Sequence, residues 1–218
     1  MAVFNEYSLL TQVAIRSPLN SFLTDEKLSN EWQDLRFHSK PELKESINEF
    51  IEFRKLLLND EIKIIDLPQA KGLTIDSIYT RDSILISPKG LILCNMGRAS
   101  RTPEARDNYE HLKLQSYQIA GEILAPGTLE GGDFIWLSDT KAAVGLGPRT
   151  NQNGIDQLRK ILGDAVDLHE VPLPKPAHPD DVLHLMSIIS PLDKDLALIY
   201  RPLMPASFIQ WLGQLGKI

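Results

Sequence analysis

Three stretches of apolar residues in the second half of the chain are each interrupted by a short polar turn. They cover residues 83–93, 133–144 and 185–199. In each stretch the first apolar run ends in a serine followed by a proline or an aspartate, and a second apolar run comes soon afterwards. Short apolar runs on both sides of such a turn are typical of β-hairpins. The pattern therefore predicts three hairpins.

The hairpins recur at a nearly constant interval, because Ser87, Ser138 and Ser190 are 51 and 52 positions apart. A helical pattern follows each hairpin, and an apolar strand returns after the first two helices. The helical segments are residues 104–117, 152–162 and 206–215, and the returning strands lie near residues 119–124 and 166–171. The repeated unit is therefore ββαβ. A period of about fifty residues indicates an array or a propeller, so we predict an α/β fold, a pseudo-symmetric propeller of ββαβ modules.

The N-terminal third of the chain is less regular. Strand patterns near residues 13–15 and 62–65 flank a helical pattern over residues 41–59. Residues 17–38 combine turn-forming residues with a helical pattern, and we interpret them as a lid. No low-complexity linker separates this opening module from the repeats, so we expect a single domain over residues 1–218.

The third repeat stops before its last strand. It ends at Gly216-Lys217-Ile218, where the earlier repeats turn from helix into strand. We therefore expect a propeller that is incomplete at the C-terminus, with its final blade absent. Such a propeller leaves a sheet edge open, which is compatible with association into a homo-oligomer.

Composition and charge narrow the function classes. The 218 residues carry a formal net charge of −6 without a basic stripe, which argues against nucleic acid as a partner, since phosphate contacts need clustered Lys and Arg. No apolar run is long enough for a membrane span and no signal peptide is recognisable, so we expect a cytoplasmic protein. The single cysteine, Cys94, excludes an internal disulfide and a Cys-based zinc site. We expect no cofactor and no metal.

Polar residues interrupt the repeats at equivalent places. In each repeat one of them lies five or six positions before the hairpin serine: Asp82, Asp133 and His184. Glu130 comes directly before two glycines, whose lack of a side chain lets backbone and ligand approach closely. Because equivalent strand ends converge in a closed ring, we predict an axial cluster of three carboxylates and one imidazole. Its members are Asp76, Asp82, Glu130 and His184.

This cluster fits one kind of ligand. Paired carboxylates bind a planar guanidinium bidentately, and Arg149, in a loop after the second hairpin, is placed to meet a substrate carboxylate. Each residue taken alone also has a structural interpretation: an aspartate before a strand is commonly a turn or cap, and a histidine between leucines is commonly a core residue. Their equivalent positions in the repeats favour a site for a guanidino compound.

Four ordered motifs resemble the guanidino-group-modifying pentein superfamily, and among its members most closely the dimethylarginine dimethylaminohydrolases. The motifs are residues 76–82, 127–133, 145–151 and 184–187. The resemblance implies a five-bladed propeller of ββαβ modules. It also implies covalent chemistry in which a cysteine thiolate attacks the guanidino carbon, an amine leaves, and the thiouronium intermediate is hydrolysed.

The resemblance implies a role for each matching residue. Glu130 orients the guanidinium and the histidine, and His184 protonates the leaving amine and then activates water. Arg149 binds the substrate α-carboxylate. The substrate-binding residues that it implies are Asp76, Asp82, Asp133, Arg101 and Arg149.

Several positions depart from the family pattern. Arg81 stands where dimethylarginine dimethylaminohydrolases usually carry Glu, and Met186 replaces an aspartate of the arginine deiminases. Asn95 replaces a substrate-binding arginine of some members, for which Arg98 or Arg101 could substitute. These departures leave the substrate open.

The nucleophile is the largest departure. In the family it lies near the C-terminus, beyond the last residue here, and Cys94 does not match it. Cys94 ends an apolar run, where a cysteine behaves as a small hydrophobe. We therefore expect no nucleophile in this chain and no activity from the chain alone.

Three functions remain open. The first is a hydrolase of the guanidino group of arginine or a methylated arginine, which gives citrulline and an amine. The second is an amidinotransferase, which needs room for an amine acceptor. The third is a non-catalytic protein that binds guanidino compounds.

Overall fold

Strands and helices alternate through the chain in a computed structural model, which describes residues 4–69, 71–175 and 183–216. The strands are β1 (Gln12–Arg16), β2 (Lys63–Leu67), β3 (Ile84–Ser87), β4 (Gly90–Leu93), β5 (Ile119–Glu122), β6 (Phe134–Ser138), β7 (Lys141–Leu146), β8 (Asp167–Pro172), β9 (Ile189–Asp193) and β10 (Leu196–Ile199). The α-helices are α1 (Pro18–Ser21), α2 (Asp25–Glu31), α3 (Leu43–Asn59), α4 (Glu104–Leu112), α5 (Gln152–Leu162) and α6 (Ala206–Gln214). The predicted α/β class is confirmed.

The chain divides into two compact units. The larger unit comprises residues 1–8, 81–98 and 117–218, and the smaller unit comprises residues 9–80 and 99–116. The expectation of a single domain, incomplete at its C-terminus, stays a prediction, and so does the lid role of residues 17–38. Lys217 and Ile218, which end the third repeat, lie outside the described residues.

In its described residues the larger unit contains three small sheets, each built on an antiparallel hairpin. In the sheet β3-β4-β5 an antiparallel hairpin pairs with a parallel third strand, and the sheet β6-β7-β8 is built in the same way. Strands β9 and β10 form a third antiparallel hairpin. The three predicted hairpins and the returning strands near residues 119–124 and 166–171 are therefore confirmed.

A short 3₁₀ turn precedes the first strand of every hairpin. The turns are Thr80–Asp82, Gly131–Asp133 and Leu185–Ser187. The sequence predicted that strand begins at Asp133 in the second hairpin and at Leu185 in the third, and those starting points were wrong. Residues there close local hydrogen bonds instead, from Asp133 N to Glu130 O at 3.0 Å and from Ser187 N to His184 O at 2.9 Å. Strands β6 and β9 begin only after these turns end.

Helix α5 shows why the repeat folds as it does. Its apolar residues recur at three- and four-residue spacing, so Ile155, Leu158 and Leu162 share one face, which is buried against strands β3 to β8. Asn151 caps its first turn by accepting a hydrogen bond from Gly154 N at 2.9 Å. Gly163, with φ +76°, ends the helix.

The smaller unit pairs β1 and β2 in parallel beside helices α1 to α4. The predicted strands near residues 13–15 and 62–65 and the predicted helix over residues 41–59 are confirmed. Arg16 is fully buried within this unit, where its guanidinium contacts Asp107 at 2.8 Å and Asn108 at 2.9 Å on α4. None of the helices in the described chain combines the length and apolar character that crossing a membrane requires.

Candidate active site

The three 3₁₀ turns place the polar residues that the repeat singled out in the larger unit. Asp82 is the last residue of the first turn, Glu130 directly precedes the second, and His184 directly precedes the third. Each residue therefore holds an equivalent position at the start of a hairpin. The structure brings Glu130 and His184 into direct contact.

Glu130 is the centre of the site. Its side chain has no exposed surface, and its Oε2 atom lies 2.9 Å from His184 Nε2. Arg149 Nη1 lies 3.1 Å from each carboxylate oxygen, and the backbone N–H of Arg98 donates to Oε1 at 3.1 Å. One buried carboxylate thus holds an imidazole, a guanidinium and a main-chain amide.

The electrostatics of the pair follow from these contacts. Burial opposes ionisation of Glu130, but the hydrogen bond from His184 and the charge of Arg149 outweigh it and lower the pKa of Glu130 to about 2. Burial also opposes protonation of His184, yet the bond to Glu130 and the charges of Asp133 and Asp82 raise its pKa above the ordinary value. The ionised carboxylate of Glu130 therefore stabilises the protonated imidazole of His184, as general acid–base catalysis requires.

Asp82 and Gly132 pack against this pair. Asp82 Oδ1 accepts a hydrogen bond from Gly132 N at 3.0 Å. A Cβ atom on Gly132 would lie 2.8 Å from His184 Cγ and 2.9 Å from Asp82 Oδ1. Gly132 thus lets the backbone lie close to His184 and Asp82, and the predicted approach of a ligand to this glycine stays a prediction.

Asp133 is fully buried beneath the site. Its Oδ2 atom accepts from Thr150 Oγ1 at 2.7 Å and its Oδ1 atom accepts from Leu185 N at 3.0 Å. Burial raises its pKa to about 6 against the opposing charge of His184 and these hydrogen bonds. Both carboxylate oxygens of Asp133 thus accept hydrogen bonds from within the protein, and its predicted substrate-binding role stays a prediction.

Two of the predicted substrate-binding residues lie in the smaller unit. Asp76 is 4% exposed in the 3₁₀ turn Ile75–Ile78. Arg101 is 3% exposed, and its Nε and Nη2 atoms each lie 2.9 Å from an oxygen of Glu104. Arg101 also donates to the Tyr79 carbonyl at 3.1 Å. Its guanidinium thus makes a bidentate internal ion pair with Glu104, a partner that the sequence analysis missed.

Cys94 is buried in the larger unit at 4% exposure. Burial raises the pKa of its thiol well above the ordinary value, and the charges of Asp82 and Glu130 raise it further. A nucleophilic cysteine requires an accessible thiolate in an electropositive setting. The surroundings of Cys94 are the opposite of these.

The positions that depart from the family pattern make internal contacts. Arg81 Nη2 donates to Glu6 at 3.0 Å and to the Phe134 carbonyl at 3.2 Å, and its Nε lies 2.8 Å from Met186 Sδ. Asn95 Nδ2 donates to the Gly127 carbonyl at 2.6 Å. Among the described residues, no group of three or more His, Cys, Asp or Glu side chains is arranged to hold a metal ion.

Comparison with known proteins identifies the class. Residues 75–217 match the family model described as arginine deiminase. Because the match extends over more than half of the sequence, the chain belongs to this family of guanidino-group-modifying proteins. The resemblance inferred from the four motifs is confirmed.

Particular relatives and solved structures are similar to this chain. An N(G),N(G)-dimethylarginine dimethylaminohydrolase of Streptomyces coelicolor is 31% identical over 142 residues, which are 63% of this chain and 51% of the relative. A structure of the Pseudomonas aeruginosa enzyme, as a cysteine-to-serine mutant complexed with citrulline, superposes with a TM-score of 0.75 at 23% identity, covering 97% of this chain and 76% of that one. An amidinotransferase of Microseira wollei gives a TM-score of 0.72 at 16% identity, covering 94% of this chain and 70% of that one.

These likenesses concern part of each relative. The chain spans about half the length of the curated relatives that it matches, 51% of one and 48% of another. Its several small sheets match the propeller-like fold of the structural neighbours.

Proposed function

We propose that the whole protein hydrolyses the guanidino group of arginine or a methylated arginine and releases citrulline and an amine. The observation that carries this proposal is the buried carboxylate of Glu130, which contacts a guanidinium at 3.1 Å and an imidazole at 2.9 Å. Guanidino hydrolysis needs such a carboxylate to hold the planar cation and to orient the proton-transfer group. The likeness to dimethylarginine dimethylaminohydrolases supports the same substrate class.

The mechanism assigns the proton transfers to His184. With Glu130 and Asp82 holding the substrate guanidinium, a cysteine thiolate adds to the guanidino carbon, and protonated His184 gives its proton to the amine that leaves. The neutral imidazole then takes a proton from water, which attacks the thiouronium carbon and releases the thiolate and the product. The contact with ionised Glu130 favours the protonated imidazole that the first step needs.

The thiolate is the part that this chain does not offer. Cys94 is its single cysteine, and its buried thiol with a raised pKa does not suit attack on a substrate. We therefore propose that the chain alone binds a guanidino compound without turning it over. Asp76 and Arg101 remain predicted substrate-binding residues.

Arg149 takes part in the proposed binding step by exchange. Its guanidinium lies on Glu130, where the substrate guanidinium is proposed to bind. We propose that the substrate replaces Arg149 at Glu130 and that Arg149 then pairs with the substrate α-carboxylate. The exchange substitutes one guanidinium for another, so Glu130 keeps a cationic partner throughout.

A binding experiment tests this function. The chain is titrated calorimetrically with L-arginine, asymmetric dimethylarginine and L-citrulline, with L-lysine as a cation that lacks the planar fork. We expect L-arginine and asymmetric dimethylarginine, which carry the guanidino group, to bind and L-lysine not to bind. Glu130→Gln should abolish the binding of the guanidino compounds, and the exposed control Glu49→Gln should not. Absence of guanidino binding by the unaltered chain, or equal binding of L-lysine, overturns the proposal.

The amidinotransferase alternative has support from the structural likeness to such an enzyme. The two reactions differ in the acceptor of the amidino group, which is water for the hydrolase and an amine for the transferase. When the whole protein is supplied with arginine and glycine, a hydrolase releases citrulline at a rate independent of glycine. Glycine-dependent formation of a new guanidino product instead indicates the transferase.

A further inference from the structure

A hydrogen-bonded relay runs beneath the site through two side chains with no exposed surface. The backbone N–H of Glu130 donates to Thr150 Oγ1 at 3.2 Å, and the Thr150 hydroxyl donates to Asp133 Oδ2 at 2.7 Å. The other oxygen of Asp133 accepts from the backbone N–H of Leu185 at 3.0 Å. Both Thr150 and Asp133 are 0% exposed. The Thr150 hydroxyl and both carboxylate oxygens of Asp133 are therefore engaged in hydrogen bonds within the protein.

The relay joins the three segments that carry the site. It begins on Glu130 itself, passes through the neighbour of Arg149, and ends on the neighbour of His184. These contacts bridge 20, 17 and 52 positions of sequence. Glu130 and the two residues whose side chains contact its carboxylate, Arg149 and His184, are therefore tied to one buried pair through their own backbone or that of a neighbour.

The direction of the relay is fixed by its chemistry. An ionised carboxylate only accepts hydrogen bonds, so the single hydroxyl proton of Thr150 points to Asp133. The lone pairs of that hydroxyl are left to receive the N–H of Glu130. A residue without a hydroxyl at position 150 would leave both Glu130 N–H and one oxygen of Asp133 without this partner, which is costly for buried groups.

We infer that Asp133 and Thr150 form a positioning pair that sets the contact between Glu130 and His184, the contact on which the proposed reaction depends. Asp133 is thus reassigned from a substrate-binding residue to one that acts through the backbones of Glu130 and Leu185. The catalytic role of this pair rests on the proposed function. The hydrogen bonds of the relay, and the distance between Glu130 and His184 that they set, do not depend on that function.

The pKa of the His184 imidazole reports the contact, because the hydrogen bond to Glu130 raises that pKa. The test measures it by NMR in the chain, with the His184 resonances assigned from a His184→Gln variant. Thr150→Val is nearly isosteric and leaves the formal charge unchanged, so it removes the relay without altering a charge. Thr150→Ser retains the hydroxyl, and Thr140→Val at an exposed hairpin turn serves as the matched control.

We expect Thr150→Val to lower the His184 pKa by on the order of half a unit to one unit, toward that of a free imidazole. Thr150→Ser and Thr140→Val should leave it unchanged. A folded Thr150→Val protein with the wild-type His184 pKa overturns the inference.

A measurement on the unaltered chain covers the case in which Thr150→Val does not fold. Protonation of Asp133 must perturb both ends of the relay, so the amide proton resonances of Glu130 and Leu185 should share one transition, in addition to any that follows the titration of His184. Absence of a shared transition that is distinct from that of His184 contradicts the relay. Arginine binding by the unaltered chain is scored independently: if it is absent while the His184 pKa responds to Thr150→Val, the proposed function fails and the positioning pair stands.

Discussion

The Nε2 atom of His184 lies 2.9 Å from Oε2 of Glu130, a carboxylate with no exposed surface. The two residues are 54 positions apart in the sequence and belong to different hairpins of the repeat. Their contact makes Glu130 a stronger acid and His184 a stronger base than either would be in water.

The pair should stabilise the fold over a defined pH window. The lowered pKa of Glu130 contributes stability that is present above the unfolded value of 4.5 and is lost as the pH falls toward about 2. The raised pKa of His184 contributes stability that is present below its unfolded value of 6.5 and is lost as the pH rises through its folded value. We therefore expect the difference in unfolding free energy between wild type and Glu130→Gln to be greatest between pH 4.5 and 6.5.

Urea unfolding at a series of pH values checks this window. The double variant Glu130→Gln/His184→Gln supplies the reference in which neither group titrates. A difference that keeps growing above pH 6.5 would show that the contact does not favour the protonated imidazole.

Gly132→Ala should disturb the site directly. The added methyl group would lie 2.8 Å from His184 Cγ and 2.9 Å from Asp82 Oδ1, so one of these groups must move. We expect a loss of stability of roughly 1–3 kcal/mol, the usual cost of overpacking a core, together with a changed His184 pKa. Thermal unfolding and NMR titration measure the two effects.

Gly213→Ala is the matched control for that substitution. Gly213 lies within helix α6, and a Cβ atom there would meet nothing within 4 Å. Because alanine is the better helix former, we expect a gain of about 0.5–1 kcal/mol. Equal destabilisation by both substitutions would mean that the site contact is not the cause.

Arg149→Gln should show whether Arg149 contacts the α-carboxylate of the substrate. If Arg149 pairs with the substrate α-carboxylate, its loss weakens binding of L-arginine by roughly 10- to 100-fold, as expected for a charge-assisted pair. Agmatine, which has the guanidino group without the carboxylate, should not lose affinity. Calorimetric titration with both ligands decides the point, since an equal effect on the two would restrict Arg149 to its contact with Glu130.

Glu104→Gln should destabilise the smaller unit. Glu104 is fully buried and both its oxygens bind Arg101, so its neutralisation removes two charge-assisted contacts from a buried guanidinium. Breaking such a pair costs about 3–5 kcal/mol. Glu110, on the same helix, pairs with Lys113 at the surface, and Glu110→Gln should leave the unfolding midpoint unchanged. Similar effects of the two variants on urea unfolding would contradict the buried-pair interpretation.

The repeat was readable from the sequence because its causes are local. Alternating apolar runs, turn residues and helical spacing act over a few residues, so the hairpins around Ser87, Ser138 and Ser190 and the helix that follows each could be predicted. The equivalent spacing of Asp82, Asp133 and His184 pointed to a site for the same reason. The family motifs added the roles of Glu130 and Arg149, which spacing alone leaves open.

What the tertiary structure decided is which of these polar groups meet. The sequence predicted an orienting role for Glu130 and a substrate-binding role for Asp133 without showing their partners. In the structure Glu130 contacts His184 and Arg149, and Asp133 contacts Thr150 and Leu185. Contacts between residues dozens of positions apart depend on how the hairpins pack, which no local pattern encodes. The sequence by itself determined the repeated ββαβ plan and the candidate chemistry, and the packing of hairpins determined that Glu130 binds the imidazole and Asp133 holds the backbone behind it.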